Sequence, residues 1–261
     1  MVDDGSTDAD TIALMEKLQA EGEHLVIRQT NQGLSAARNI GIKRAQGQYI
    51  LPLDADNKVR PDYISKAVAI LDKHSEIGVV YGNPAFFGET WRQWSPPDFD
   101  LLQLLIGNYI DACAVFREKR WEDCLGYDTN MPVKVWEDYD LWLTAVEKGW
   151  QFHHSDETLF DYRVRSNSMV AATFTPDTHT KIQAYVLWKH VNLYISGLKA
   201  FQRKAQEVQV SMRELEKTIT TQNVQIAAHA QALTEREKEL ATRQAVIEEL
   251  TAQLQWIRSR Q

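Results

Sequence analysis

Cysteine is scarce: Cys113 and Cys124 are the only two in 261 residues. Two thiols make no disulfide framework, and their spacing fits no metal pattern, so a reducing compartment is expected. Long apolar runs are missing as well. No stretch approaches the roughly 18 apolar residues of a membrane span, and the first residues do not read as a secretory signal. There is no basic excess either. The formal net charge is -7; residues 1–200 hold 20 Lys/Arg against 28 Asp/Glu, and residues 201–261 hold 9 against 8. An acidic first part argues against a nucleic-acid backbone as partner. The expectation is a cytoplasmic protein, compatible with peripheral attachment at an inner membrane, without a transmembrane segment. Finally, glycine and proline are absent after Gly197, which leaves nothing to break a helix in the last 64 residues.

What is present is an ordinary globular composition, 44% hydrophobic and 25% charged. Helical and extended patterns alternate. Asp8 or Asp10 can cap a helix to about Ala20, with Leu14 and Leu18 on one face and Gly22 beyond its end. Leu25–Ile27 reads as a strand, and Ser35 can cap a helix to about Ala45. Tyr49–Leu53 is a strand. Pro61 opens a helix to about His74 with Ile64, Val68 and Leu71 on one side, and Ile77–Tyr81 is a strand. This alternation predicts an α/β fold with a mostly parallel sheet, whose ligands sit at the carboxyl ends of strands. From Gly82 the pattern loosens. Ala112–Phe116 reads as a strand, Val135–Lys148 as a helix with acids in its first turn, and Phe152 and Leu159–Arg163 as a closing pair of strands. His179–Leu198 reads as a packing helix with Ile182, Tyr185, Val186 and Trp188 inward.

The chemistry concentrates in Leu53-Asp54-Ala55-Asp56-Asn57. Side chains at i and i+2 of a strand point the same way, so Asp54 and Asp56 converge where the strand gives way to a loop. Paired carboxylates with no adjacent base suit a divalent cation, and Mg²⁺ is usually held by one or two carboxylates plus substrate phosphates. Trp91, Trp94, Tyr109 and Trp121 fall in the stretch Tyr81–Asn130, where exposed rings would suit stacking on a ligand; burial in the core is the leading reading for each.

The tail repeats every seven residues. Met212, Ile219, Ile226, Leu233, Leu240, Ile247 and Leu254 form one apolar seam. Its companion, Leu215, Gln222, His229, Arg236, Arg243, Leu250 and Ile257, is apolar only at its ends. This heptad pattern predicts a long helix that self-associates as a coiled coil. The chain therefore divides into an α/β domain over 1–175, a packing helix over 176–200 and a coiled-coil helix over 201–261.

Four segments in order, Val2-Asp3-Asp4-Gly5-Ser6-Thr7-Asp8, Asn31-Gln32-Gly33-Leu34-Ser35-Ala36-Ala37-Arg38-Asn39-Ile40-Gly41, Leu53-Asp54-Ala55-Asp56-Asn57 and Trp136-Glu137-Asp138-Tyr139-Asp140, resemble the family 2 glycosyltransferases of GT-A (Rossmann-like) fold. The resemblance covers about residues 2 to 170. It implies an inverting transfer of a sugar from a nucleotide-sugar donor, a UDP-sugar foremost, to a hydroxyl of a glycan or related acceptor. It implies donor binding by Asp3, Asp4, Arg38 and Asp54, a divalent cation (Mg²⁺ or Mn²⁺) at Asp56 with Asp54, and Asp138 as general base with Glu137 beside it. Asp140 lies about 200° round the helix from Asp138 and is left out. Many relatives carry a metal-binding His after the last strand pair. Here Arg165 occupies that neighbourhood, and its fixed charge could hold a diphosphate.

Members of the family also carry a strand and a helix before the Asp-Asp-Gly motif. The resemblance thus implies a GT-A sheet lacking its first strand and helix, with low stability and weak or no activity for the 261-residue chain. A competing reading is a non-catalytic remnant on a coiled-coil scaffold; intact Asp54, Asp56 and Asp138 count against it. A nucleotidyltransferase would want a Gly-rich basic loop that is not visible.

Overall fold

The computed structural model describes residues 1–173 and 175–258. It divides into two units, Met1–Lys199 and Ala200–Gln261. In chain order the elements are β1 (Val2–Asp3), α1 (Ala9–Glu21), β2 (Ile27–Arg28), α2 (Leu34–Arg44), β3 (Tyr49–Ile50), β4 (Lys58–Val59), α3 (Tyr63–Lys73), β5 (Ile77–Gly88), β6 (Arg92–Gln93), α4 (Leu101–Ile106), β7 (Val115–Arg117), α5 (Glu118–Asp123), α6 (Glu137–Glu147), β8 (Gln151–Val164), α7 (Met169–Thr173), α8 (Pro176–Lys189) and α9 (Val191–Arg258).

The first unit is of α/β class, as expected, but its larger sheet is mixed rather than mostly parallel. Six strands run in the order β3-β7-β5-β8-β4, with β6 paired to β5, and only β5 and β8 are parallel within it. β1 and β2 form a separate parallel pair. The alternation that predicts parallel strands ends at β5. Beyond it the chain re-enters the sheet as β7, antiparallel to both its neighbours, and later runs along β4 in the opposite sense.

β5 and β8 are also longer than the sequence pattern suggests, at 12 and 14 residues. Register shifts at Gly82/Asn83 and Asn83/Pro84 let β5 continue past a proline. Pro84 has no N–H to give a ladder, and an irregularity is where a strand accommodates that. The loosened pattern after Gly82 is therefore a bulged strand, and the two short closing strands are one.

Two clusters fill the interior. Phe116, Tyr139, Trp142, Leu143, Ile182 and Val186 belong to the larger, and Tyr63, Leu71, Val80, Leu159 and Phe160 to the smaller. α3 buries Tyr63, Ala67 and Leu71, one turn-spaced stripe, and leaves Ile64 exposed. The buried stripe is thus offset from the expected one because Tyr63 reaches inward to donate a hydrogen bond to the Cys113 carbonyl at 2.7 Å. α1 is capped by Asp8, which accepts the Thr11 N–H, and closed by Gly22 in the left-handed region, but it buries no residue and Leu14 stays exposed. α2 starts at Leu34, so Ser35 lies inside the helix, and Gly33 is the cap at φ 93°.

The expected packing helix is broken at His190, between α8 and α9. Ile182 and Val186 are buried as expected, whereas Trp188 is 73% exposed. His190 takes the inward position instead: it is 1% exposed and lies 3.0 Å from the Asp140 carboxylate through Nε2. Lys189 donates to the same carboxylate at 2.8 Å and to Asp128 at 2.6 Å. Asp140 is thereby committed to holding α8 onto α6.

Residues 200–258 of α9 form the second unit, a continuous helix. Met212, Ile219, Ile226, Leu233, Leu240, Ile247 and Leu254 all stand exposed along it. The side chain of Ile257 lies outside the described residues. Among the described residues no helix is long and apolar enough to cross a membrane.

Replacing Asp140 with Ala would leave buried His190 and Lys189 without their shared anion. Losing one partner of a buried charge cluster typically costs about 3 kcal/mol, so Asp140→Ala should lower the unfolding free energy by about that amount and the urea midpoint by about 1–3 M. An unchanged midpoint would mean the network carries no net stability.

Candidate functional site

The site is built where β3 ends. Pro52 lacks the N–H needed to extend the ladder, and the pairing stops at Ile50. Ala55 and Asp56 then form a turn in which the Asn57 N–H donates to the Asp54 carbonyl at 3.0 Å. Asp54 and Asp56 are therefore not aligned by strand alternation. They face the same cavity, but each engages a different arginine. Arg38, from α2, donates to Asp54 Oδ1 through Nη2 at 2.7 Å, and Arg165, from the loop after β8, donates to Asp56 Oδ2 at 2.6 Å.

Arg38 is also paired through Nη1 with Glu137, at the start of α6. Its side chain is only 9% exposed, and the Tyr127 ring lies 5.6 Å from the guanidinium carbon. Burial works against its charge, but the surrounding acids, Glu137 first, override that and hold it firmly protonated. Arg38 lines the cavity and ties the β3 loop to the base of α6. The next residue, Asn39, is equally committed. Its amide accepts the Tyr127 N–H at 2.8 Å and donates to the Tyr127 carbonyl at 2.8 Å. It also accepts the Trp121 indole N–H at 3.1 Å.

α6 begins after Trp136, which adopts φ 66°, a left-handed conformation that few residues other than glycine hold without strain. The Trp136 ring packs edge-on against Tyr139 and His179. Strained backbone held by packing is characteristic of functional sites. Glu137 and Asp138 follow. Burial, more than any neighbouring charge, raises both above the ordinary carboxylate range, and for Asp138 repulsion from Glu137 adds to it. Asp138 Oδ1 accepts the Tyr139 N–H at 2.8 Å, and Oδ2 accepts from Asn108 Nδ2 at 3.0 Å.

The cavity measures about 350 Å³, and its walls bring together Arg38, Asp54, Asp56, Glu137, Asp138 and Arg165. Asp111, Asn108, Tyr162 and Trp136 complete them, and Trp94 and Tyr109 also line it. Trp121 belongs to the core, and Trp91 is exposed beside Phe87. Asp111 was not foreseen. Burial pushes it up to about 6, and the charges of Asp54 and Glu137 act in the same direction. No motif surrounds it, and only the fold places it beside the other acids.

Asp3 and Asp4 stand elsewhere. Asp3 is 2% exposed, accepts the Ser6 N–H at 2.8 Å and pairs with Arg28 at 3.3 Å. Asp4 accepts Gln29 Nε2 at 2.7 Å and the N–H groups of Gln32 and Gly33 at 2.9 and 2.8 Å. Burial opposes its charge, but those three donors hold its carboxyl below the usual range. Asp4 shapes the loop ahead of α2, Asp3 the loop after β1, and neither lines the cavity.

Residues 1–125 match the family model described as Glycosyl transferase family 2. EpsE of Bacillus subtilis (strain 168), assigned as a glycosyltransferase, is 26% identical over 204 residues, covering 75% of this chain and 73% of EpsE. An uncharacterised glycosyltransferase of Haemophilus influenzae is 30% identical over 154 residues, covering 57% of this chain and 59% of that one. Among solved structures, S. aureus TarS 1-349 in complex with UDP-GlcNAc superposes with a TM-score of 0.57 at 20% identity, over 75% of this chain and 62% of that one. The chain thus spans less than two thirds of the Haemophilus and TarS chains. Residues 1–125 of the first unit are thus similar to the family 2 glycosyltransferases, and the fold of this unit is GT-A-like.

The raised Asp111 gives a pH signature. Its folded value, about 6, lies above the unfolded value of about 3.9. The folded state therefore binds the proton more tightly. The associated stability is present below pH ~4 and is lost as pH rises through ~6, to the extent of about 1–3 kcal/mol. Asp111→Asn should remove that slope, raising the thermal midpoint at pH 7.5 relative to wild type while matching it near pH 4.5. Parallel pH profiles for the two proteins would count against the buried, raised carboxyl.

Proposed function

We propose that this chain transfers a sugar from a UDP-sugar to a hydroxyl of a glycan or related acceptor, with inversion at the anomeric carbon. The observation that carries this reading is the convergence of residues 38, 54, 56, 137, 138 and 165, distant in sequence, on one cavity. The glycosyltransferase relatives and the UDP-GlcNAc complex of TarS support the donor class.

The charge balance supports a metal. Five carboxylates, Asp54, Asp56, Asp111, Glu137 and Asp138, face two arginines across the cavity. A diphosphate would add further negative charge, so its binding calls for a cation. Among the described residues no three His, Cys, Asp or Glu side chains form a metal cluster. A cation held by one or two carboxylates plus substrate phosphates needs no such cluster. Asp56, with Asp54, would hold Mg²⁺ or Mn²⁺. When bound, the ion supplies neutralisation of the charge that develops on the leaving diphosphate.

The protein's own residues do the rest. Arg165, half-exposed beside Asp56, can turn its fixed charge to the diphosphate. Asp138 takes the proton of the acceptor hydroxyl as the oxygen attacks the anomeric carbon. Its raised affinity for protons, from burial and from Glu137, makes it a stronger base than a solvated aspartate, provided the pH keeps it ionised. A single in-line displacement inverts the centre, and no second carboxylate need serve as nucleophile.

UDP release from a panel of UDP-sugars, with and without hydroxyl acceptors, checks the reading. Asp138→Asn should lower kcat by about 10²–10⁴-fold. Chelation should abolish turnover and Mn²⁺ should restore it, and NMR of the product should show the inverted anomer. Full activity of Asp138→Asn, or a retained anomer, would overturn it.

We also infer that α9 self-associates through its exposed heptad seam. An apolar row of this length left in water is unfavourable. Sedimentation should show a concentration-dependent oligomer, and Leu233→Lys with Leu240→Lys should shift it to monomer. A monomer at all concentrations for the unaltered chain would refute this.

A further inference from the structure

We propose that Asn108 is a positioning residue that orients the Asp138 carboxylate, an inference resting on the reading of Asp138 as the base. Asn108 follows α4 and Gly107, far from the motifs that mark the site. Its Oδ1 accepts the Ile110 N–H at 3.2 Å, and its Nδ2 donates to Asp138 Oδ2 at 3.0 Å. The first bond settles the second. An amide can be placed either way round on shape alone, but a backbone N–H requires the oxygen on its side, so the NH₂ must face Asp138.

Asn108 is itself anchored. Ile110 is 1% exposed, and its carbonyl accepts the indole N–H of Trp142, in α6, at 3.0 Å. Trp142 is 1% exposed in the core. The loop that carries the donor and the helix that carries the acceptor are therefore fixed to each other independently of the Asn108–Asp138 bond. With Oδ1 held by the Tyr139 N–H and Oδ2 by Asn108, the plane of the carboxylate is set from both ends. Each oxygen retains a lone pair for a substrate proton.

Charge gives the bond a second effect. Asp138 faces Glu137 on its own helix, Arg38 on α2 and Asp111 on the Asn108 loop, and the phenols of Tyr127 and Tyr162 lie within its field. Burial and the two acids favour the protonated form, and a protonated carboxyl cannot serve as base. An N–H donor stabilises only the ionised form. Asn108 thus opposes the acids while adding no charge of its own, which a lysine or arginine in its place would do at the expense of basicity.

The test uses the full chain labelled with ¹³C at the aspartate carboxyl carbons. Asp138→Asn identifies the Asp138 signal by its disappearance. Asn108→Leu removes the donor, and Asn108→Asp replaces it with an acceptor of the same size. The titration midpoint of Asp138 should move up in Asn108→Leu and further in Asn108→Asp. In the transfer assay kcat should fall about 10–100-fold in Asn108→Leu, with KM for the donor nearly unchanged and the acid limb of the pH profile following the midpoint. A midpoint unmoved in either folded variant, or equal losses in kcat and in donor binding, overturns the proposal. If Asn108→Leu fails to fold, Asn108→Asp carries the readout alone. If the midpoint moves but the unaltered chain transfers no sugar, the assignment of the base fails and the Asn108–Asp138 linkage stands.

Discussion

One guanidinium holds the site together. Arg38 reaches from α2 to Asp54 in the β3 loop and to Glu137 at the start of α6, with Tyr127 beside its plane. A planar fork can meet two carboxylates at once, as an ammonium cannot. Almost no water reaches it, so the pairing is strong but also obligatory: without the arginine, Glu137 would be a buried anion with no counter-charge. Burying such a charge costs several kcal/mol. The segments it joins are separated by up to 99 residues, so it acts as the bond between the cavity's two sides. Asn39, one residue on, makes a parallel attachment of α2 to the chain around Tyr127.

The remaining charges are arranged around that clamp with a surplus of acids. Arg165 balances Asp56 at the solvent-facing rim, where both partners are accessible, whereas Arg38 is locked in. The two arginines therefore differ in exposure: one is buried between two carboxylates, and the other is half open to solvent. The surplus raises proton affinity at Asp111, Glu137 and Asp138 through burial first and mutual repulsion second. Carboxylates forced together in this way hold a proton more tightly than solvated ones.

Much of this was legible in the sequence, and the reason is local. Asp54, Asp56, Glu137 and Asp138 sit in short stretches whose residue types carry their own geometry, a strand end and a helix start. Arg38 was found by its motif, but its pairing with Asp54 and Glu137 was not, because a motif says which residues are special and not which of them meet each other. Asp3 and Asp4 illustrate the same gap: three donors consume Asp4, and their positions depend on a loop 25 to 29 residues away. Asp111 and Asn108 carry no local signal, since they matter only through what the fold sets beside them. The mixed sheet was missed because alternation of strands and helices speaks for neighbours in sequence. Strand directions after β5 are decided by pairings far along the chain. Trp188 was expected inward with Ile182 and Val186, but the buried stripe continues at i+4 through Ile182, Val186 and His190 and leaves Trp188 on the outer side.

The left-handed backbone at Trp136 reaches further. Because no side chain caps α6, its N-terminal N–H groups draw on the acids of the first turn for negative charge, and Asp138 is one of them through Tyr139. The carboxylate that would accept a proton is therefore also a structural anion of the helix that bears it. Neutralising Asp138 would take the charge from the acceptor of the Tyr139 N–H, so the helix start and the cavity draw on one and the same anion.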